Sequence, residues 1–188
     1  LANALVDGEP MEQLDQISYF IITATAGHDT TSATISGGMK ALLEHPDQLA
    51  KLRKHPELAK QAAKEMIRWV SPVRHMMRTS TEDIVLRGKT IKAGDSLCLW
   101  YPSANRDSDA IEDPDTFDIE RDNQNQLAFG FGGHMCLGQH LAILEVELFF
   151  KELLPRLSHI EFAADPEWVQ AIFVGGLKSM PVRYAFHS

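Results

Sequence analysis

The stretch Phe129-Gly130-Phe131-Gly132-Gly133-His134-Met135-Cys136-Leu137-Gly138 concentrates the chemistry of this chain. Glycine accepts backbone angles and close approaches that a Cβ blocks, so Gly130, Gly132 and Gly133 permit a tight loop against a flat ligand. Cys136 stands at the end of that loop. Leu137, Leu141, Leu144 and Leu148 recur every three or four residues immediately afterwards, which predicts an amphipathic helix. The sulfur then lies beside unpaired N–H groups at a positive helix end, surroundings that favour a thiolate. A thiolate on a glycine-rich loop, with Phe129 upstream as an apolar cover, suits an axial ligand to haem iron.

Other chemistries fit these residues less well. A dinucleotide fingerprint requires a third glycine where Met135 stands. Gly133 and Gly138 have phosphate-loop spacing, but Gln139 and His140 replace the Lys and Ser/Thr of such a loop. His134, Cys136 and His140 are zinc-ligand types, yet no second Cys or His pair follows at finger spacing. An inert cysteine in a turn is the remaining structural reading.

The residues Phe129, Gly132, His134, Cys136 and Gly138 match every fixed position of Phe-x-x-Gly-x-(Arg/His)-x-Cys-x-Gly. In this the chain resembles the cytochrome P450 haem-thiolate monooxygenases, and two further motifs of that family recur upstream in the expected order. Within the family it is similar to soluble bacterial members of the terpineol-hydroxylating type. That likeness rests on Gly27-His28-Asp29-Thr30-Thr31-Ser32, Pro102-Ser103-Ala104-Asn105-Arg106-Asp107 and the run from His134 to Ala142.

The resemblance implies a role for each matched position. Cys136 is the axial ligand of haem b (iron protoporphyrin IX), in a loop shaped by Phe129, Gly132 and Gly138. Arg78 and His134 pair with the two propionates. Asp29 and Thr30 are the acid and alcohol that deliver protons to dioxygen, with His28 a neighbour rather than a catalyst. Glu65 and Arg68, as Glu-x-x-Arg, form a structural triad with Arg121. Ala26, Val73, His75, Met76, Phe173 and Val174 line the substrate pocket, with Arg74, Met77 and Ile172 close by. The implied partners are dioxygen, a small apolar substrate of terpene or aromatic type, and a ferredoxin-type electron donor. Where relatives often carry Arg or Lys after Leu141-Ala142, on the face that meets the donor, this chain has Ile143.

Composition sets outer limits. With 188 residues and 44% hydrophobic residues, the chain can bury one core. Family members are about twice this long. Residues 1–188 are therefore expected to be the C-terminal part of a single P450 domain, from the long oxygen-side helix onward, with the N-terminal half absent; Leu1 in place of Met agrees with that. A net charge of −8 argues against nucleic acid or an anionic membrane as partner. Two cysteines, Cys98 and Cys136, in separate contexts do not suggest a disulfide and fit a reducing cytoplasm. The longest apolar run, Ile17 to Gly27, is interrupted by Ser18, Thr23 and Thr25, and it is too short to span a bilayer.

The elements that must position these residues read as mainly α with small antiparallel β-sheets, an α+β class. Apolar spacing from Leu14 onward predicts a helix from Met11 to about Glu44, stopped by Pro46 and about 50 Å long. Gly27 in its middle weakens it by about 1 kcal/mol, and threonine hydroxyls can bond back to the preceding turn, so a local widening or kink is expected there. A short helix runs from His45 to Lys54, and another begins at Pro56 and ends at Ser71-Pro72. On that helix Glu65 falls in line with Leu58, Ala62 and Trp69, so it should be buried.

The segment Val73 to Met77 leads into Arg78. Ile84–Leu86, Thr90–Ile91 and Ser96–Tyr101 suggest one small antiparallel sheet, with Cys98 as a small hydrophobe. Residues 102–125 form a long polar meander that brings Arg121 toward Glu65. After Pro155 the chain reads as a hairpin, with Trp168 to Val174 and Pro181 to Phe186 as its arms and Gly175-Gly176 between them. The expectation from all this is a haem-dependent monooxygenase. Two alternatives stand beside it: a peroxide-using or gas-sensing haem-thiolate protein, and an incomplete, non-catalytic fragment.

Overall fold

The computed structural model describes residues 3–122 and 125–187. Asn123 and Gln124, at the end of the predicted meander, lie outside the described residues, as do Leu1, Ala2 and Ser188. A small hairpin, β1 (Leu5–Val6) and β2 (Glu9–Pro10), precedes three helices: α1 (Gln13–Glu44), α2 (Pro46–Lys54) and α3 (Ala59–Val70). Proline punctuates all three. A residue before proline is pushed out of the α region, and His45 (φ −124°, ψ 76°) and His55 (φ −126°, ψ 71°) both leave it, ending α1 and α2. Ser71, before Pro72, ends α3 in the left-handed region at φ 44°.

Strands then alternate with irregular chain: β3 (His75–Thr79), β4 (Ile84–Leu86), β5 (Lys89–Ile91) and β6 (Ser96–Trp100), followed by the short helix α4 (Tyr101–Ala104). After the meander come α5 (Gln139–Leu153), β7 (Leu157–Phe162), β8 (Glu167–Trp168), β9 (Leu177–Ser179) and β10 (Val182–Phe186). The class is as the sequence predicts, helices with small antiparallel sheets, but two pairings differ. β4 and β5 form their own hairpin, while β6 pairs with β3, from His75↔Trp100 to Thr79↔Ser96. The segment read as a lead-in to Arg78 is therefore a strand. At the C-terminus β10 pairs with β7, and only β8 and β9 close the predicted hairpin. β7 follows α5 after a single 3-10 turn (Leu154–Arg156), and its Leu157 is buried while Ile160 packs on the core, so it offers β10 an anchored edge. Alternation within a strand sets which face is apolar but does not choose between partner edges.

The core lies where the C-terminal half of α1 meets α3 and α5. Leu42, Met66, Phe117, Ile119, Val146 and Phe150 are its fully buried centre. Two glycines let α1 and α3 approach: a Cβ on Gly37 would stand 2.6 Å from Val70 Cγ2, and one on Gly38 would stand 2.7 Å from Met66 Sδ. The leucine stripe that identifies α5 in sequence points the other way. Leu137, Leu141, Leu144 and Leu148 are exposed, while Val146 and Phe150, one helical turn apart, enter the core. Leu14, Ile17, Phe20, Ile21 and Ile22 of α1 are exposed in the same manner.

Beneath the core, the charges of α3 hold the meander. Glu65 and Arg68 have no solvent exposure, and Arg68 Nε and Nη2 each donate to a Glu65 oxygen at 2.7 Å. Arg121 Nε approaches Glu65 Oε1 at 3.4 Å, and the Asp118 amide donates to the same oxygen at 3.1 Å. The remaining guanidinium hydrogens capture carbonyls. Arg68 Nη1 donates to Asn105 and Pro114, Arg68 Nη2 to Thr116, and Arg121 to Glu112, Asp113 and Thr116. The structure thus brings Arg121 to the Glu65 and Arg68 pair, from which the sequence separates it by more than fifty positions.

Two outcomes are expected in equilibrium urea denaturation. Arg68→Leu strands a buried carboxylate and should cost roughly 3 to 5 kcal/mol. Gly37→Ala gains about 1 kcal/mol of helix propensity but forces a methyl against the branched Val70 side chain. Overpacking of about 1 to 3 kcal/mol should leave that variant less stable than its parent, with an unchanged or higher midpoint counting against the close approach.

Candidate functional site

Main-chain hydrogen bonds, with few side-chain contacts, shape the Cys136 loop. The Gly130 amide donates to Leu127 O (2.9 Å), the Met135 amide to Gly132 O (3.0 Å), and the Cys136 amide to Phe129 O (2.9 Å), which closes the loop. Gly130 and Gly132 both sit at φ +72°, where a side chain would be strained, and Tyr101 Oη would stand 3.2 Å from a Cβ on Gly130. Gly133 needs no such angle. It lies in a single 3-10 turn with His134, and a Cβ there would enter open space. Cys136 is exposed, and α5 begins three residues later at Gln139. Gly138 leaves 4.0 Å between the place of its missing Cβ and Cys136 Sγ.

These features fit an iron porphyrin. A single soft sulfur is exposed at the end of a hydrogen-bonded loop, open space flanks it at Gly132 and Gly133, and Arg78 and His134 are two side-chain types that can pair with carboxylates. Arg78 is carried on β3 opposite Leu97, and His134 lies in the loop itself. Arg78 Nη1 donates to Met77 O (2.8 Å), and neither cation is in an ion pair among the described residues. A zinc arrangement of His134, Cys136 and His140 does not form: among the described residues no group of three or more His, Cys, Asp or Glu is placed to hold a metal ion.

Two segments far apart in sequence, after α3 and after β8, meet each other. Val73 bridges Val174, the Arg74 amide donates to Phe173 O (2.9 Å), and the Gly175 amide donates to Pro72 O (2.8 Å). His75 Nδ1 lies 3.2 Å from Ile172 O, and its ring stands edge-on to Phe173 and stacks on Trp100. Val73, His75, Phe173 and Val174 are therefore brought together. Met76 follows on β3, exposed opposite Leu99. Ala26 stays on the exposed part of α1, about two turns before Ala33, against which Gly176 packs so closely that a Cβ would stand at 2.8 Å. Arg74 lays its guanidinium over Gly175 with Nε buried and unpartnered.

The widening expected at the polar notch of α1 does not form. The helix is α-helical without interruption through Ala26 to Thr31. Thr25, Thr30 and Thr34 each donate a hydroxyl at 2.8 Å to the carbonyl one turn back, and these bonds are added to an intact helical ladder instead of opening it. Asp29 is not bonded to Thr30; its Oδ1 lies 2.8 Å from His28 Nδ1.

Sequence reasoning passed over Asn105. Fully buried, it donates from Nδ2 to Ser71 Oγ (2.8 Å) and accepts the Leu127 amide at Oδ1 (2.7 Å). Its neighbour Arg106 stacks its guanidinium 4.2 Å above the Trp69 ring, and burial together with the nearby Arg68 charge holds its pKa below the ordinary guanidinium value. The signal was present as Asn105-Arg106-Asp107, a polar run within a turn-rich stretch. Nothing local distinguishes such a run from a solvated loop.

The chain is similar to known proteins in sequence and in fold. A family model described as Cytochrome P450 matches residues 7–170. Cytochrome P450-terp of Pseudomonas sp is 46% identical over 184 residues, covering 98% of this chain and 43% of the relative. Linalool 8-monooxygenase of Pseudomonas putida is 38% identical over 182 residues, covering 97% and 45%. The crystal structure of CYP108D1 from Novosphingobium aromaticivorans superposes with a TM-score of 0.92 at 46% identity, covering 98% of this chain and 45% of that one. The chain thus spans less than half the length of these relatives. On the family match, the identities and the shared fold, this chain belongs to the cytochrome P450 family.

Proposed function

We propose that this chain is the C-terminal part of one P450 domain and that, joined to the remainder, it hydroxylates a small apolar organic substrate with dioxygen. The observation that carries the reading is the Cys136 loop, a rigid main-chain cradle that ends on an exposed sulfur. The exposed apolar residues of α1 and α5 support the domain assignment, because large exposed apolar side chains in such number are normally covered. Relatives named as a linalool 8-monooxygenase, a methyl-branched lipid omega-hydroxylase and a steroid C26-monooxygenase support an apolar substrate.

Haem b, when bound, supplies the iron that activates dioxygen. Cys136 Sγ would hold that iron, Arg78 and His134 would hold the propionates, and Phe129, Gly132 and Gly138 would shape the surface around the sulfur. Glu65, Arg68 and Arg121 keep the meander in place behind it. Val73, His75, Met76, Phe173, Val174 and Ala26 would exclude water and orient an apolar substrate of terpene or aromatic type. On α1, Asp29 moves a proton at its carboxylate. The Thr30 hydroxyl, whose hydrogen is committed to Ala26 O, offers lone pairs that hold a proton donor beside it. The Asp29 and Thr30 pair favours oxygen activation over a peroxide-using or gas-sensing role.

Electrons would come from a ferredoxin-type donor in the cytoplasm. Among the described residues no helix is long and apolar enough to cross a membrane. Ile143 in place of a cation would weaken or alter the contact with an acidic donor.

Carbon monoxide difference spectra of the reduced, haem-loaded protein test the ligand. A strongly red-shifted Soret band is expected, and Cys136→Ser should abolish it; a band that survives the substitution excludes Cys136 as ligand. Thr30→Ala should retain the band but lower product formed per electron pair by about 10²-fold, with the balance released as hydrogen peroxide. Unchanged coupling in that variant would remove Thr30 from proton delivery.

A further inference from the structure

We propose that Asn105 is a positioning residue for the Cys136 loop, one that ties the loop to the buried Glu65 and Arg68 pair. The inference rests on Cys136 being the haem ligand. Two stretches of chain converge on this residue. Its main-chain carbonyl accepts Arg68 Nη1 at 2.8 Å, while its side chain donates from Nδ2 to Ser71 Oγ at 2.8 Å and accepts the Leu127 amide at Oδ1 at 2.7 Å. From Leu127 the path enters the loop: Leu127 O accepts the Gly130 amide, and Phe129 O accepts the Cys136 amide, each at 2.9 Å. The turn that carries Asn105 touches the loop a second time, since its amide bonds Tyr101 O and Tyr101 Oη faces Gly130.

The chemistry of the site selects asparagine. Ser71 Oγ gives its hydrogen to Arg68 O at 2.7 Å, so toward Asn105 it can only accept. The Leu127 amide can only donate. One buried side chain must therefore present a donor to one side and an acceptor to the other, at a site with no solvent exposure to replace either. A primary amide does both. Aspartate keeps the acceptor for Leu127 but sets oxygen against Ser71, whereas leucine of similar shape keeps neither. Glutamine is one methylene too long for a filled site.

The test compares Asn105→Leu, Asn105→Asp and Ser71→Ala in the haem-loaded protein by two readouts: hydrogen exchange of the Leu127 amide, and the ratio of thiolate-ligated to other forms in the carbon monoxide spectrum. Asn105→Leu should speed Leu127 exchange about tenfold, the factor implied by losing one buried hydrogen bond. It should also raise the fraction without thiolate ligation severalfold. Asn105→Asp and Ser71→Ala keep the acceptor, so both should retain parental exchange and ligation even where they melt earlier.

Parental exchange and ligation in Asn105→Leu overturn the proposal, as does loss of both in Asn105→Asp. Should Asn105→Leu fail to fold, Asn105→Ala takes its place: faster Leu127 exchange with a larger fraction lacking thiolate ligation supports the coupling, and parental values of both refute it. If Cys136 were not the ligand, the thiolate band would be missing from the unsubstituted protein while Leu127 stayed protected, so the two failures are distinguishable.

Discussion

The fold depends on one buried ion pair. Glu65 and Arg68 lie a single turn apart on α3 with no solvent exposure, and removing two charges from water is costly unless every lone pair and N–H finds a partner. Here those partners come from elsewhere in the chain. Arg68 takes carbonyls from Asn105, Pro114 and Thr116, and Glu65 takes the Asp118 amide and the Arg121 side chain. The satisfied pair therefore dictates the path of a meander that has little regular structure of its own. Its net contribution to stability is small compared with what its loss would cost, because a broken pair leaves an uncompensated charge inside.

That constraint reaches the chemistry through the irregular chain. The Cys136 loop makes its bonds almost wholly with its own backbone, which keeps its shape but leaves its position to be set by its two ends. One end is α5, anchored by Val146 and Phe150 in the core; the other is Leu127, held by Asn105. A cradle with a rigid interior, fixed at both ends to packed structure, is what a preorganised ligand sulfur requires.

The two long helices divide their residues between two kinds of surface. The buried end of α1 is rich in small residues, and Gly37 and Gly38 let α3 approach closely; its other end exposes large apolar side chains. On α5 the pattern is rotational: the leucine stripe faces outward while Val146 and Phe150 face the core. Both helices thus bury one part of their apolar surface and expose another, and exposed apolar surface of this size is normally covered.

Much of the site was legible in sequence because its motifs act locally. The glycines around Cys136, the Glu65 and Arg68 spacing on α3 and the prolines after His45, His55 and Ser71 all fix short-range geometry, and the structure keeps each of them. The apolar period also identified α5 as a helix, since 3.6-residue spacing is a property of the segment alone. Tertiary structure decided the rest. Which face of α5 is buried depends on what α1 and α3 present to it. Whether β10 pairs with β8 or β7 depends on which edge the core has anchored. The α1 notch stays helical although its hydroxyls bond carbonyls one turn back. Asn105 matters because two partners distant in sequence, Ser71 and Leu127, reach it together, and a single chain read in order holds no record of that meeting.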